Sequence, residues 1–120
     1  MSDEAAPPGA GELADTLGDL LAARALSIGA LDISVELNAP HLDCEVLFAE
    51  SPDIGCTLDL TSGEVQYCEL EPGAGERWLP EHAATTDTSG LTGPDVHERI
   101  AHELLDGMLA ARRSIRRSRD

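Results

Sequence analysis

Four side chains of this sequence can be combined into a candidate metal site. Cys44, Cys56 and Cys68 recur at twelve-residue intervals, and His41 precedes the first of them by three. A tetrahedral zinc site can be written from these four, but the paired Cys-x-x-Cys knuckles of structural zinc sites are absent. In the strand pattern below, only Cys56 and Cys68 are direct neighbours and Cys44 is offset toward Leu60. The reading is therefore of reduced, buried thiols acting as small hydrophobes, with no metal and no cofactor. His97 and His102 stand five apart on the last helix, roughly 140° around its axis, whereas a helical metal pair needs a step of four. His102 lies one turn from both Glu98 and Asp106, which suits a surface ion pair.

Nucleophilic catalysis has as little support. There is no G-x-S-x-G elbow, no glycine-rich phosphate loop and no H-E-x-x-H. Asp43 and Glu45 could act as a carboxylate pair, with Asp59 nearby, yet such a cluster on an open sheet is ordinarily solvated surface. No dedicated calcium loop is present. The sequence predicts a protein that is not an enzyme.

Charge is the stronger signal. The 120 residues carry 23 acids against eight arginines and no lysine, for a net charge of −15. Residues 1 to 111 hold 22 of those acids and only Arg24, Arg77 and Arg99, while residues 112 to 120 hold five arginines and Asp120. An acidic body thus carries a short basic tail. Binding to a phosphate backbone needs cations to displace counterions, so direct nucleic-acid binding by the body is excluded. Adaptation to salt or a GC-rich coding bias would explain the acidity without any function. A basic protein partner would explain it with one. No apolar run reaches the roughly 18 residues that span a bilayer, and the acidic start is unlike a signal peptide. The expected location is the cytoplasm, where the odd count of cysteines stays reduced.

The elements that carry these residues are legible from periodicity. Residues 1 to 10 read as a flexible leader, residues 11 to 115 as a single domain and 116 to 120 as a basic tail. From Gly11 to Ile28, Leu13, Leu17, Leu20, Leu21 and Ala25 recur at helical spacing, and Gly29 ends the helix. Strict alternation then marks four strands, Leu31 to Leu37, Leu42 to Ala49, Ile54 to Thr61 and Glu64 to Leu70, separated by turn residues. Residues 71 to 91 form a long loop holding Trp78. A second amphipathic helix begins near Thr92, with Gly107 on it positioned for a close approach to a neighbour.

Pairing Leu37 with Leu42, Phe48 with Cys56, Val46 with Leu58 and Cys56 with Cys68 keeps one face apolar. A shorter last turn, which would turn Val65, Tyr67 and Glu69 inward, is the less favoured alternative because it buries Glu69. The expected fold is α+β: a four-stranded antiparallel meander with N-terminal and C-terminal helices packed on one face. The order resembles that of double-stranded-RNA-binding domains and small secretion chaperones, but no motif of either is present, and no family is assigned.

That fold strands Asp32, Glu36, Asp43, Glu45, Asp59 and Glu69 on the uncovered face. With Trp78 as an aromatic anchor, they make the expected partner-binding set. The function expected is a non-enzymatic protein-binding module, an inhibitor, immunity-type partner, adaptor or chaperone, that engages a basic surface and in its sharpest form mimics nucleic acid. The alternatives are a subunit of an oligomeric assembly whose acidity reflects its host, and a small metal protein or enzyme using the Cys and His residues.

Overall fold

The computed structural model describes residues 6–119. Helix α1 spans Ala10–Ile28 and buries Leu13, Leu17 and Leu21, successive steps of four that keep one stripe against the sheet. Gly29, at φ 76°, closes it by donating to the carbonyls of Ala25 and Leu26. Strands β1 (Ala30–Asn38), β2 (His41–Phe48), β3 (Asp53–Asp59) and β4 (Glu64–Glu71) follow, then β5 (Gly75–Trp78), a 3-10 turn at Pro80–His82 and β6 (Ala84–Thr85). Helix α2 spans Pro94–Arg119. Both helices cover one face of an antiparallel sheet ordered β1-β2-β3-β4-β5, with β6 also on β4. The expected leader lies partly outside the described residues, and Ala10 is already buried in α1. Among the described residues no helix is long and apolar enough to cross a membrane.

The architecture is the one expected, with six strands in place of four. Residues 71 to 91 are not a continuous loop: β5 pairs its backbone with Cys68 to Glu71, and β6 pairs with Glu64 and Val65. All four residues of β5 are exposed, so no apolar alternation marks it in the sequence. The basic tail continues α2 as far as Arg119.

Register differs from expectation in three places. Leu37/Leu42, Val35/Cys44 and Ile33/Val46 pair as expected, but an irregularity between Ala30 and Asp32 pairs Phe48 with Ala30 and turns Leu31 out to 74% exposure. Between β2 and β3, Cys44 faces Cys56 and Val46 faces Ile54. This tighter hairpin lets Asp53 Oδ1 accept the Phe48 N–H at 2.8 Å, and its even offset from the expected pairing leaves the faces unchanged. Between β3 and β4 the offset is odd, which reverses β4: Cys56 faces Tyr67 and Ile54 faces Glu69. Val65 and Tyr67 enter the core, while Cys68 and Leu70 move to the outer face.

Tyr67 can enter because α2 offers it a glycine. A Cβ built on Gly107 would stand 1.8 Å from Tyr67 Oη and 2.3 Å from Cζ. Gly107→Ala is accordingly expected to destabilise by about 1–3 kcal/mol through overpacking, although alanine is the better helix former. Gly18 on α1 has nothing within 4 Å of its Cβ position, and Gly18→Ala is expected to stabilise by up to about 1 kcal/mol. Urea unfolding of the two variants should show opposite signs.

Candidate functional site: the acidic sheet face

The uncovered face is built by strand alternation. One row across it reads Ser34, Glu45, Gly55, Cys68 and Trp78, and the next reads Glu36, Asp43, Thr57 and Gln66. Asn38, His41 and Asp59 continue the pattern at one end, and Asp32, paired with Leu47, stands at the other. The sheet bears an open hollow of about 480 Å³ here, lined by residues that include Glu36, Asp43, Glu45, Asp59, Glu64 and Glu76. Trp78 forms part of the wall and is 44% exposed. Gly55 keeps the floor low: a Cβ there would meet Cys44 O and Cys68 Sγ, each at 3.1 Å.

The floor senses the surrounding charge. The buried Cys68 thiol is pushed up to about 12, first by burial and then by the carboxylates of Glu76, Glu45 and Asp43, so it stays protonated at neutral pH. Some of the carboxylates are already engaged. Asp43 accepts from Thr57 Oγ1 at 2.5 Å and from Asn38 Nδ2 at 3.0 Å. Asp59 accepts the N–H groups of Thr61 and Ser62 and has His41 Nε2 at 3.9 Å, and its carboxyl is held below the ordinary value by those N–H groups first. Glu36 and Glu45 are exposed, and no arginine lines the cavity.

Six of the seven expected binding residues share this face: Asp32, Glu36, Asp43, Glu45, Asp59 and Trp78. Glu69 does not. The reversed β4 register buries it at 3% exposure on the helix side, where Arg77 Nη2 and Arg119 Nη2 reach its carboxylate at 2.7 and 2.8 Å. Glu64, Glu76, Gly55 and Cys68 belong to the face and were not expected there. For Glu64 the signal was available, since it alternates with Val65, whereas Glu76 becomes visible only once β5 is known to be a strand.

The basic tail also faces the helix side. Arg112 Nε donates to Pro52 O at 3.0 Å and its guanidinium lies 3.9 Å from the centre of the Phe48 ring. Arg116 pairs with Glu50 at 3.3 Å and Arg119 with Glu69. Arg99 donates to Thr86 Oγ1 in the loop before α2 and pairs with Glu103 one turn on in the same helix, both at 3.1 Å. His97, buried at the start of α2, is hydrogen-bonded to the Leu91 carbonyl.

Strand alternation separates the cysteines. Cys44 and Cys56 face the core and Cys68 faces outward, all as free thiols. No group of three or more His, Cys, Asp or Glu side chains among the described residues is placed to hold a metal ion. No family model, curated protein or solved structure matches this chain.

Proposed function

We propose that this protein is a non-enzymatic binding module whose acidic face takes a cationic surface of another protein. The observation that carries this reading is the segregation of charge: the cavity wall gathers six carboxylates and no arginine, while Arg77, Arg99, Arg112, Arg116 and Arg119 make their ion pairs and hydrogen bonds away from it. Six carboxylates around one hollow, with His41 as the basic side chain among them, concentrate negative charge more than net acidity alone requires. Uncompensated carboxylates beside low-dielectric walls focus a negative potential that steers and orients a basic partner. Trp78 adds an aromatic surface on which a guanidinium can stack.

An inhibitor, immunity-type partner, adaptor or chaperone would each use such a face. The sharpest form is occupation of the cationic groove of a nucleic-acid-binding protein, in the cytoplasm, where the three buried thiols stay reduced.

The chain holds a single tryptophan, which makes Trp78 a reporter of the site. Titration with octa-arginine at low ionic strength is expected to change Trp78 emission saturably, with reversal on addition of about 0.5 M salt as the charges are screened. Binding that leaves the emission unchanged, or that persists undiminished in salt, would refute the proposal.

A further inference from the structure

One side of the sheet ends on an open strand. Among the described residues β1 bonds to β2 alone, and it runs for nine residues, none of them buried. The opposite side is occupied by the short β5 and β6. Along an antiparallel strand the backbone groups point alternately to either neighbour. The Leu60 N–H donates to Pro40 O at 2.8 Å in the β2–β3 register, so the even residues of β2 bond β3, and His41, Asp43 and Glu45 bond β1. Their partners Asn38, Glu36 and Ser34 face β2. Residues 33, 35 and 37 therefore face the open edge, where the Asp32 carboxylate accepts the Ile33 N–H at 3.0 Å.

The two faces of β1 differ in chemistry. On the helix side, Ile33, Val35 and Leu37 are only half covered, and Leu31, unpaired near the start of the strand, is 74% exposed. On the outer side, Asp32, Ser34 and Glu36 stand in register with Leu47, Glu45 and Asp43. An unpaired edge with a half-covered apolar row invites another strand. A second copy of this chain brings no opposite charge. Antiparallel self-pairing centred on Ser34 sets Asp32 opposite Glu36 twice, and pairing centred on Val35, which sets Asp32 opposite Asn38, still joins two acidic faces into one. A cationic segment instead meets Asp32 and Glu36 with opposite charge.

We infer that the open edge of β1 is a strand-addition site for an extended segment of the basic partner, running antiparallel, whose side chains alternate apolar and cationic. Residues of the segment opposite Ile33, Val35 and Leu37 share their face and extend the apolar layer. The alternate residues fall beside Asp32 and Glu36, and the incoming backbone frees the Asp32 carboxylate from the Ile33 N–H to meet a cation. The cationic half of this specificity rests on the proposed function, while the backbone half does not.

In an antiparallel pair, directly opposite residues at positions 33, 35 and 37 exchange their hydrogen bonds with β1. The test uses an acetylated, amidated peptide of four Val-Arg repeats and two N-methylated twins of identical charge. Methylation at the valines removes the N–H groups that bond β1, and binding by fluorescence anisotropy is expected to weaken at least about tenfold. Methylation at the arginines, whose N–H groups face away, is expected to leave affinity within about threefold. Val35→Pro in the protein, tolerable on an edge because its N–H faces solvent, should match the valine-methylated loss.

Equal binding of the parent peptide and the valine-methylated twin would overturn the inference. So would sedimentation showing a dimer of this chain that Val35→Pro dissociates. If octa-arginine leaves Trp78 unaffected while the Val-Arg peptide shows the valine-specific loss, the edge site stands and the acidic-face reading falls. If octa-arginine binds and neither N-methylation nor Val35→Pro matters, the face stands and the edge site falls.

Discussion

Replacing both Arg77 and Arg119 with methionine is expected to cost about 3–5 kcal/mol of folding stability, because it leaves the Glu69 carboxylate buried with no counter-charge. The two arginines are about half exposed and Glu69 is 4% exposed at its side chain, so the burden falls on the acid. Adding Glu69→Met to the double variant is expected to recover most of the loss, since an apolar side chain of similar volume suits a site beside Ile54. Urea unfolding of these two variants, of Glu69→Met alone and of the wild type closes the cycle. A double variant as stable as wild type would show that Glu69 is solvated in solution.

The same carboxylate has a defined pH signature. Burial pushes the Glu69 carboxyl up, but the hydrogen bonds from Arg77 and Arg119 outweigh it and hold the group below its ordinary value of 4.5. A depressed folded value gives stabilisation that is complete above the unfolded value and fades as the pH falls through the folded one. The stability difference between wild type and Glu69→Gln is therefore expected to be constant above about pH 6 and to shrink below 4.5. The paired comparison isolates Glu69 from every other group that titrates in this range.

The second large effect concerns binding. Glu36→Lys combined with Glu45→Lys puts two cations at exposed points of the acidic face, and the affinity for octa-arginine at low salt is expected to fall about 100-fold or more. Asp15→Lys combined with Glu98→Lys changes the net charge equally on the exposed sides of α1 and α2, and is expected to change affinity less than about threefold. Equal losses in the two pairs would mean that octa-arginine responds to net charge alone.

How far the sequence could be read depended on the distance between cause and effect. The leucine stripe of α1 and the alternation of β1 and β2 are local, and the Leu37/Leu42 register followed from them. The outer positions of Asp32, Glu36, Asp43, Glu45 and Asp59 followed too, because the β2–β3 offset is even and preserves the faces. The β4 register was misjudged by one residue for a non-local reason. Burying Glu69 looked prohibitive, and the compensating Arg119 lies 50 residues further along the chain. Tyr67 likewise found its space at Gly107, on a helix whose contact with β4 is set only by the finished fold. β5 has no buried residue and owes its strand to backbone pairing with β4, so periodicity carried no trace of it, nor of Glu76 as part of the cavity wall.

The site of cation binding can be mapped directly by following backbone amide and Trp78 indole resonances as octa-arginine is added at about 20 mM salt. The account predicts that the largest shifts fall on Glu45, Gly55, Thr57, Cys68 and Trp78 and collapse when salt is raised to about 0.5 M. Shifts concentrated on α1 and α2, or a map that salt leaves unchanged, would contradict it.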